Sequence, residues 1–392
     1  MRGVKMDKIK VMTVFGTRPE AIKMAPLVKK LEENQHIESI VCVTAQHREM
    51  LDQVLNFFNI KPDFDLNIMQ ERQSLSGITN RVLERLEDII IKVRPDIILV
   101  HGDTTTTFAG SLAAFYNKVK VGHVEAGLRT FNKYFPFPEE MNRKLTGALS
   151  DLHFAPTLTS KENLLREGIN EEDIFITGNT VIDAMASTVK EDYVFETQEL
   201  NFIDFKNKKV IMMTAHRREN WGEPLENICS AVKEAAQRYK DVEFIYLVHL
   251  NPIVKETAYR ILGDVNNVHL LPPLDTKETH NLMNKAYLIM TDSGGLQEEA
   301  PHLGKPVLVL RDVTERPEAV KAGTVKVIGT NKQDIINNIS LLIENESLYC
   351  EMANAVNPYG DGKASQRIVD AILYYFGVKR EKPLDFYPVK KK

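Results

Sequence analysis

Cysteine is scarce in this 392-residue chain: Cys42, Cys229 and Cys350 lie far apart and no CxxC pair occurs. An odd, scattered count excludes a disulfide framework and fits a reducing cytosol. An excess of one charge is also lacking. Lys plus Arg number 50 and Asp plus Glu 54, a net charge of −4. That balance argues against a broad nucleic-acid-binding face and leaves room for a local anion site. Long apolar runs are missing too. None approaches the roughly 18 residues of a membrane span. The run Val11 to Phe15, after a basic N-terminus, is too short for a signal sequence and leads straight into Gly16-Thr17-Arg18-Pro19-Glu20. A soluble cytoplasmic protein with no nucleic-acid or membrane partner is expected. Several motifs are absent: HExxH, a Cys/His cluster, an EF-hand loop, the P-loop, GxGxxG and GxSxG. No metal and no nicotinamide, flavin or P-loop nucleotide cofactor is therefore expected.

Apolar residues make up 43% and charged residues 27%, the balance of a globular protein whose length suits two domains. Short runs of Val, Ile, Leu and Met at 9–15, 40–44, 97–101, 119–124, 210–214, 244–248, 288–291 and 306–310 read as strands buried on both faces of parallel sheets. Segments 21–33 and 75–93 repeat apolar residues at helical spacing. The alternation predicts α/β architecture, doubly wound. The rhythm breaks near 176–185 and the polar stretch 190–209, then restarts with KKVIMMTAHRRENWG. Each half opens with a strand leading into a basic loop. Two Rossmann-like domains facing a central cleft would gather the carboxyl ends of both sheets, where ligands of open α/β sheets bind. The residues from 378 onward read as a loose solvated end.

The chemistry concentrates in the loops after these strands. Arg18 and Lys23 bring positive charge to a helix start suited to an anion, although a capped turn with surface charges reads equally well. Asp103, in His101-Gly102-Asp103-Thr104, is placed to cap a helix or to touch a substrate. Glu125 follows the next strand. Glu139 and Arg143 are four apart and share a helix face, where an ion pair is the plain expectation. If Asp103 and Glu125 share a cleft, their repulsion favours acid/base work near neutral pH. A metal set of His101, Asp103, His123 and Glu125 is not enforced by their spacing. His216-Arg217-Arg218 at a strand end reads as an anion site or as an arginine network between domains. In Thr291-Asp292-Ser293-Gly294-Gly295 a strand meets a glycine turn and a helix start, which suits a diphosphate. Glu299 is spaced to accept from ribose hydroxyls, and Arg311 and Arg316 add charge nearby.

The ordered set GTRPEAIKMAPLV, VTAQHREMLDQVL, LVHGDTTTT, VGHVEAGLRT, PEEMNR, FITGNTVID, VHLNP, TDSGGLQEEAPHLGKPVLVLR, TERPEAV and NPYGDG resembles the non-hydrolysing UDP-N-acetylglucosamine 2-epimerases, from about Val11 to Phe376. The resemblance implies the two-domain GT-B fold, phosphorylase-like, with domains at 1–178 and 179–365, a helix at 366–379 crossing back to the first domain, and a tail at 380–392. It implies a homodimer that interconverts UDP-GlcNAc and UDP-ManNAc for polysaccharide biosynthesis. Lys23, Asp103, Glu125, Glu139, Arg143 and His216 match the family's catalytic positions. Arg18, Lys23, Asp103, Glu125, His216, Ser293, Gly294, Gly295, Glu299 and Arg316 match its substrate-binding ones. Gln46, Arg72, Arg217 and His249 match a second, activating UDP-GlcNAc site. No uracil contact is assigned in 271–279, where the family pattern fits least well.

The mechanism implied is elimination of UDP to 2-acetamidoglucal, then re-addition. Which carboxylate serves which face of C2 is left open by the sequence. Three other readings compete: a hydrolysing epimerase releasing UDP and ManNAc, a GT-B glycosyltransferase, and a nucleotide-sugar-binding regulator. The regulator leaves Asp103, Glu125 and Glu139 without an evident use.

Overall fold

The apolar runs form strands because β-branched and long aliphatic side chains on both faces of a parallel sheet can all be buried. In the computed structural model, which describes residues 8–46, 48–70 and 73–389, Val11, Met12, Val14 and Phe15 are all inaccessible to solvent. Among the described residues the strands make two parallel sheets. The first contains β1 (Ile9–Phe15), β2 (Ile37–Val43), β3 (Phe64–Asp65), β4 (Ile97–His101), β5 (Lys120–Val124), β6 (Leu152–Ala155) and β7 (Ile174–Ile176), in the order 3-2-1-4-5-6-7. The second contains β8 (Lys209–Thr214), β9 (Val242–Leu247), β10 (Val268–Leu271), β11 (Leu288–Thr291), β12 (Val307–Val309) and β13 (Val325–Val327), in the order 10-9-8-11-12-13. Both repeat the 3-2-1-4-5-6 order of a Rossmann sheet, so the α/β expectation with two such domains holds.

The chain divides into two compact units. One comprises the described residues up to Ala184 together with Tyr359–Tyr387; the other comprises Met185–Pro358 and the described residues from Pro388. In each sheet the strand order reverses between two neighbours, β1 and β4 in the first unit and β8 and β11 in the second. Crossovers leave to opposite faces at such a point, so the loops there part and leave a crevice at the carboxyl ends.

All eight expected strands are present, with ends shifted by up to three residues. The strands without a sequence signal are β3, β6, β7, β10 and β13, each of two to four residues. So few residues cannot establish a period. Helix Leu75–Val93 forms as the spacing predicts, and the other expected helix runs Arg18–Glu32. On the latter packs helix Ala364–Tyr375, whose Ile368, Val369, Ile372 and Leu373 share one core with Met24, Leu27, Val28 and Leu31.

The expectation of a loose end is corrected as far as Tyr387. Phe386 N–H donates to Ile176 O at 2.7 Å, and Asp385 Oδ1 accepts from Ile176 N–H at 2.9 Å. Phe386 is 5% exposed and the Arg367 guanidinium lies 5.3 Å from its ring. The segment therefore covers the edge of β7, where unpaired backbone groups would otherwise remain. Among the described residues no helix is long and apolar enough to cross a membrane.

Candidate active site

In the first unit the site begins where β1 ends. An added Cβ on Gly16 would lie 1.8 Å from Thr44 Oγ1 and 3.1 Å from Thr106 Oγ1, so only hydrogen fits there. The buried Glu20 carboxylate then ties this turn to the one after β4. It accepts from Gly16 N–H at 3.0 Å, Thr17 N–H at 2.8 Å, Thr104 Oγ1 at 2.6 Å and Thr107 Oγ1 at 3.2 Å. Burial pushes the Glu20 carboxyl above its ordinary pKa, and these hydrogen bonds work against that rise. Arg18 opens the helix half-buried, and Lys23 lies one turn further on.

Asp103 is not the helix cap that its position suggests. Thr104 takes that place, its hydroxyl accepting from Thr107 N–H at 3.1 Å. Gly102, at φ +69°, turns the chain after β4, and this displaces the cap by one residue. The Asp103 carboxylate is thereby released to Arg143, whose Nε and Nη2 donate to Oδ2 at 3.0 and 2.6 Å. Arg143 also reaches the buried Glu140 at 3.3 Å. Among the described residues the ion pairs of Arg143 run to Asp103 and to Glu140, the neighbour of the Glu139 that the spacing suggests. Glu140 in turn accepts from Thr130 and Phe131 N–H at 3.0 and 2.9 Å, while Glu139 starts helix Glu139–Leu149.

Glu125 follows β5 in a left-handed conformation, φ +64°, which glutamate seldom adopts. Its Oε2 forms an ion pair with Lys23 Nζ and accepts from Asn179 Nδ2 at 2.7 Å. His101 Nε2 lies 3.7 Å from the same oxygen. Burial pushes the His101 pKa down to about 4, so the ring is neutral near pH 7. His123 is pushed down to about 3 by burial, and its Nε2–H donates to Gly102 O at 2.7 Å. Each of the two carboxylates therefore has a cation of its own, Arg143 for Asp103 and Lys23 for Glu125. Among the described residues no group of three or more His, Cys, Asp or Glu side chains is arranged to hold a metal. Of the residues matching an activating site, Gln46 in this unit accepts from Thr106 Oγ1 at 3.2 Å. Arg72 lies outside the described residues.

The second unit repeats the plan with different residues. Thr214 and Thr291 at the ends of β8 and β11 hydrogen-bond at 2.6 Å. Asp292 is wholly buried, and its Oδ2 accepts from His216 N–H at 2.7 Å, Arg217 N–H at 2.8 Å and Asn220 Nδ2 at 3.0 Å. A buried carboxylate again joins the two loops at the switch point. Burial holds the His216 pKa below the ordinary histidine value, against the pull of Asp292. Its ring stacks on the exposed His249, with centroids 5.4 Å apart.

Ser293, Gly294 and Gly295 follow. A Cβ on Gly294 would lie 3.7 Å from Arg316 Nη2 and 3.9 Å from Arg217 Nη2, so two guanidinium groups flank this turn. Arg316 is fixed by an ion pair with the buried Glu298. Arg311, also buried, donates to Glu219 at 2.7 Å. Glu299 ends the short helix Leu296–Glu299, and its Oε2 lies 3.4 Å from His280 Nε2. The other ring nitrogen of His280 hydrogen-bonds Thr188 Oγ1 at 2.6 Å.

The structure adds Glu20, Asn179, His280, Asp292 and Glu298 to these surroundings. All but His280 lie inside or beside the quoted motifs. Their polar side chains amid apolar strand ends were the available signal, but their partners lie far away in sequence.

A family profile described as UDP-N-acetylglucosamine 2-epimerase matches residues 29–373. The UDP-N-acetylglucosamine 2-epimerase of Bacillus subtilis is 56% identical over 97% of this chain and 99% of its own. The S. aureus MnaA structure with UDP is 56% identical, with a TM-score of 0.87 over 97% of this chain and 100% of that one. The Neisseria meningitidis UDP-GlcNAc 2-epimerase bound to UDP-GlcNAc is 54% identical, with a TM-score of 0.86 over 93% of this chain and 100% of that one. By profile, sequence and fold together, the chain belongs to the UDP-N-acetylglucosamine 2-epimerases, a family of isomerases.

Proposed function

We propose that this chain interconverts UDP-GlcNAc and UDP-ManNAc without net hydrolysis. The observation that carries the reading is the pair of carboxylates at adjacent strand ends, Asp103 on Arg143 and Glu125 on Lys23. A binding protein has no evident use for two such groups, whereas moving a proton at C2 needs a base and an acid.

The C2–H of the sugar has no neighbouring carbonyl and is weakly acidic. Departure of the diphosphate must therefore run ahead of proton loss. The C1–O bond breaks and its electron pair leaves with UDP. The C2–H pair then closes the C1=C2 bond of 2-acetamidoglucal while a carboxylate takes the proton. In the return step UDP adds back to C1 and a proton reaches the other face of C2. Asp103, Glu125 and Glu139 are the carboxylates for proton transfer and for stabilising the cationic ring. Arg18, His216 and the turn Ser293–Gly295, with Arg316 beside it, stabilise the leaving diphosphate. Glu299 accepts from ribose hydroxyls. The relatives solved with UDP and with UDP-GlcNAc support this nucleotide assignment.

Under the same reading the enzyme is a cytoplasmic homodimer. The exposed Phe115 and Tyr116, at the end of helix Thr105–Tyr116, support a self-association surface, and light scattering tests it. Activation by a second UDP-GlcNAc is supported by Arg217, which shares the Asp292 carboxylate with His216, and by His249, which stacks on His216. It predicts that UDP-ManNAc alone turns over slowly until a trace of UDP-GlcNAc is added.

NMR of UDP-GlcNAc with the purified chain in D2O tests the whole reading. UDP-ManNAc carrying deuterium at C2 is expected. Free ManNAc as the main product would identify a hydrolase, and transfer to an acceptor without C2 exchange a glycosyltransferase.

A further inference from the structure

The Glu125 carboxylate has a neutral partner that no motif reading assigned a role. Asn179 is 3% exposed and donates through Nδ2 to Glu125 Oε2 at 2.7 Å. Its amide cannot turn over. Oδ1 accepts from Val181 N–H at 3.1 Å, at the start of helix Thr180–Thr188, which leaves Nδ2 directed at the carboxylate. The backbone of Asn179 is fixed as well, its N–H donating to Tyr359 O at 2.7 Å.

Asn179 also stands at a particular place in the chain. Within the first unit the backbone departs after Ala184 and returns at Tyr359. These two passes are fastened together around Asn179. Gly178 has φ +83°, and an added Cβ would sit 3.3 Å from Gly360 Cα. Asp183 accepts from Ser365 and Ala364 N–H at 2.7 and 3.1 Å, at the start of helix Ala364–Tyr375. Arg367 donates to Thr177 O at 3.1 Å and holds Asp361 through both terminal nitrogens at 2.7 Å.

We propose that Asn179 is a positioning residue for Glu125, aiming its carboxylate from the segment where the chain leaves and re-enters the first unit. The inference rests on the proton-transfer role proposed for Glu125. Lys23 supplies charge, but an ammonium on a flexible stem fixes direction poorly. A rigid amide fixes direction without adding charge. It also favours the ionised carboxylate, because a donor to the charged form stabilises that form. Glu125 itself stands on a left-handed backbone, φ +64°, and the Asn179 donor fixes its carboxylate at the end of that turn.

The test uses the full chain with Asn179→Asp and Asn179→Ala, reading kcat, KM, UDP affinity and the pH profile. Asn179→Asp sets a second carboxylate against Glu125, and the acid limb of the kcat profile should rise by about one pH unit or more. Asn179→Ala should lower kcat about tenfold or more while KM and UDP affinity stay near wild type. If the aspartate variant does not accumulate, the alanine profile decides, because loss of the donor also moves the limb upward. Wild-type pH profiles and kcat in both variants would overturn the proposal. So would kcat, KM and melting temperature falling together with the limb unmoved. Turnover by the wild-type chain keeps the two readings apart. If wild type shows no C2 exchange, the role of Glu125 fails; if wild type exchanges and the variants match it, only the role of Asn179 fails.

Discussion

Asp292 holds the His216 backbone and faces its ring. Oδ2 accepts from the main-chain N–H at 2.7 Å, and Oδ1 lies 3.3 Å from ring Nδ1. The carboxylate thus favours the tautomer with hydrogen on Nδ1 and leaves Nε2 as the open acceptor. In Asp292→Asn the amide oxygen still serves the backbone donors, but the amide nitrogen then faces Nδ1 and reverses the tautomer. We expect kcat to fall on the order of 10²-fold. The His216 pKa should fall further as well, because the pull of Asp292 is lost. NMR titration of His216 beside steady-state kinetics checks both.

The carboxylates of the first unit should separate chemistry from binding. Glu125→Gln and Asp103→Asn are each expected to lower kcat by about 10²- to 10⁴-fold, the usual reach of general acid–base catalysis. UDP affinity by calorimetry should stay near wild type, since the groups proposed to hold UDP belong mainly to the second unit. A matching loss of UDP affinity would contradict the division of labour.

The strand ends and the residues upon them were legible because two strong signals coincide there. Continuous apolar runs mark buried parallel strands, and carboxylates and cations beside them stand out against that background. The pairings were not legible. Lys23 meets Glu125 across 102 positions and His216 meets Asp292 across 76, and only strand order decides such neighbours. Asp103 illustrates a subtler limit. Gly102 turns the chain one step later than the pattern suggests, so Thr104 caps the helix and Asp103 turns to Arg143. The C-terminal segment misled for a compositional reason: its lysines and prolines suggest solvent, while the single Phe386 anchors it.

That anchor gives a stability prediction. Phe386→Ala removes a ring that covers Gly178 and stacks with Arg367. A buried phenylalanine truncated to alanine costs about 3 kcal/mol. Urea unfolding should show a loss of this order in the first unit, and UDP binding should be little changed. A variant as stable as wild type would mean that the segment lies on the surface without holding β7.

Three buried histidines set the response to acid. His101, His123 and His153 lie on the adjacent strands β4, β5 and β6, with His123 directly beside His153. Burial is the first cause of each depression, to about 4, about 3 and about 4. Unfolding returns each ring to its ordinary value near 6.5. Between these limits the unfolded chain binds more protons than the folded one. Stability is therefore complete above about pH 6.5 and is lost as the pH falls below it, by at most about 4 kcal/mol per pH unit for three protons. Glu20 and Asp183 act in the opposite sense. Burial raises their folded pKa values, so they favour the folded state more as the solution becomes acidic. Their contribution is common to the wild type and to a histidine variant, so the difference between the two isolates the histidine share. His153 lies in the strand next to β5 and has no assigned chemistry, so His153→Gln isolates one proton. Urea unfolding at several pH values from pH 7 to pH 5 should show the wild type losing more stability on acidification than the variant, by up to about 1.4 kcal/mol per pH unit for the one proton. A variant whose stability changes with pH as steeply as the wild type's would mean that the His153 ring is not held neutral by burial.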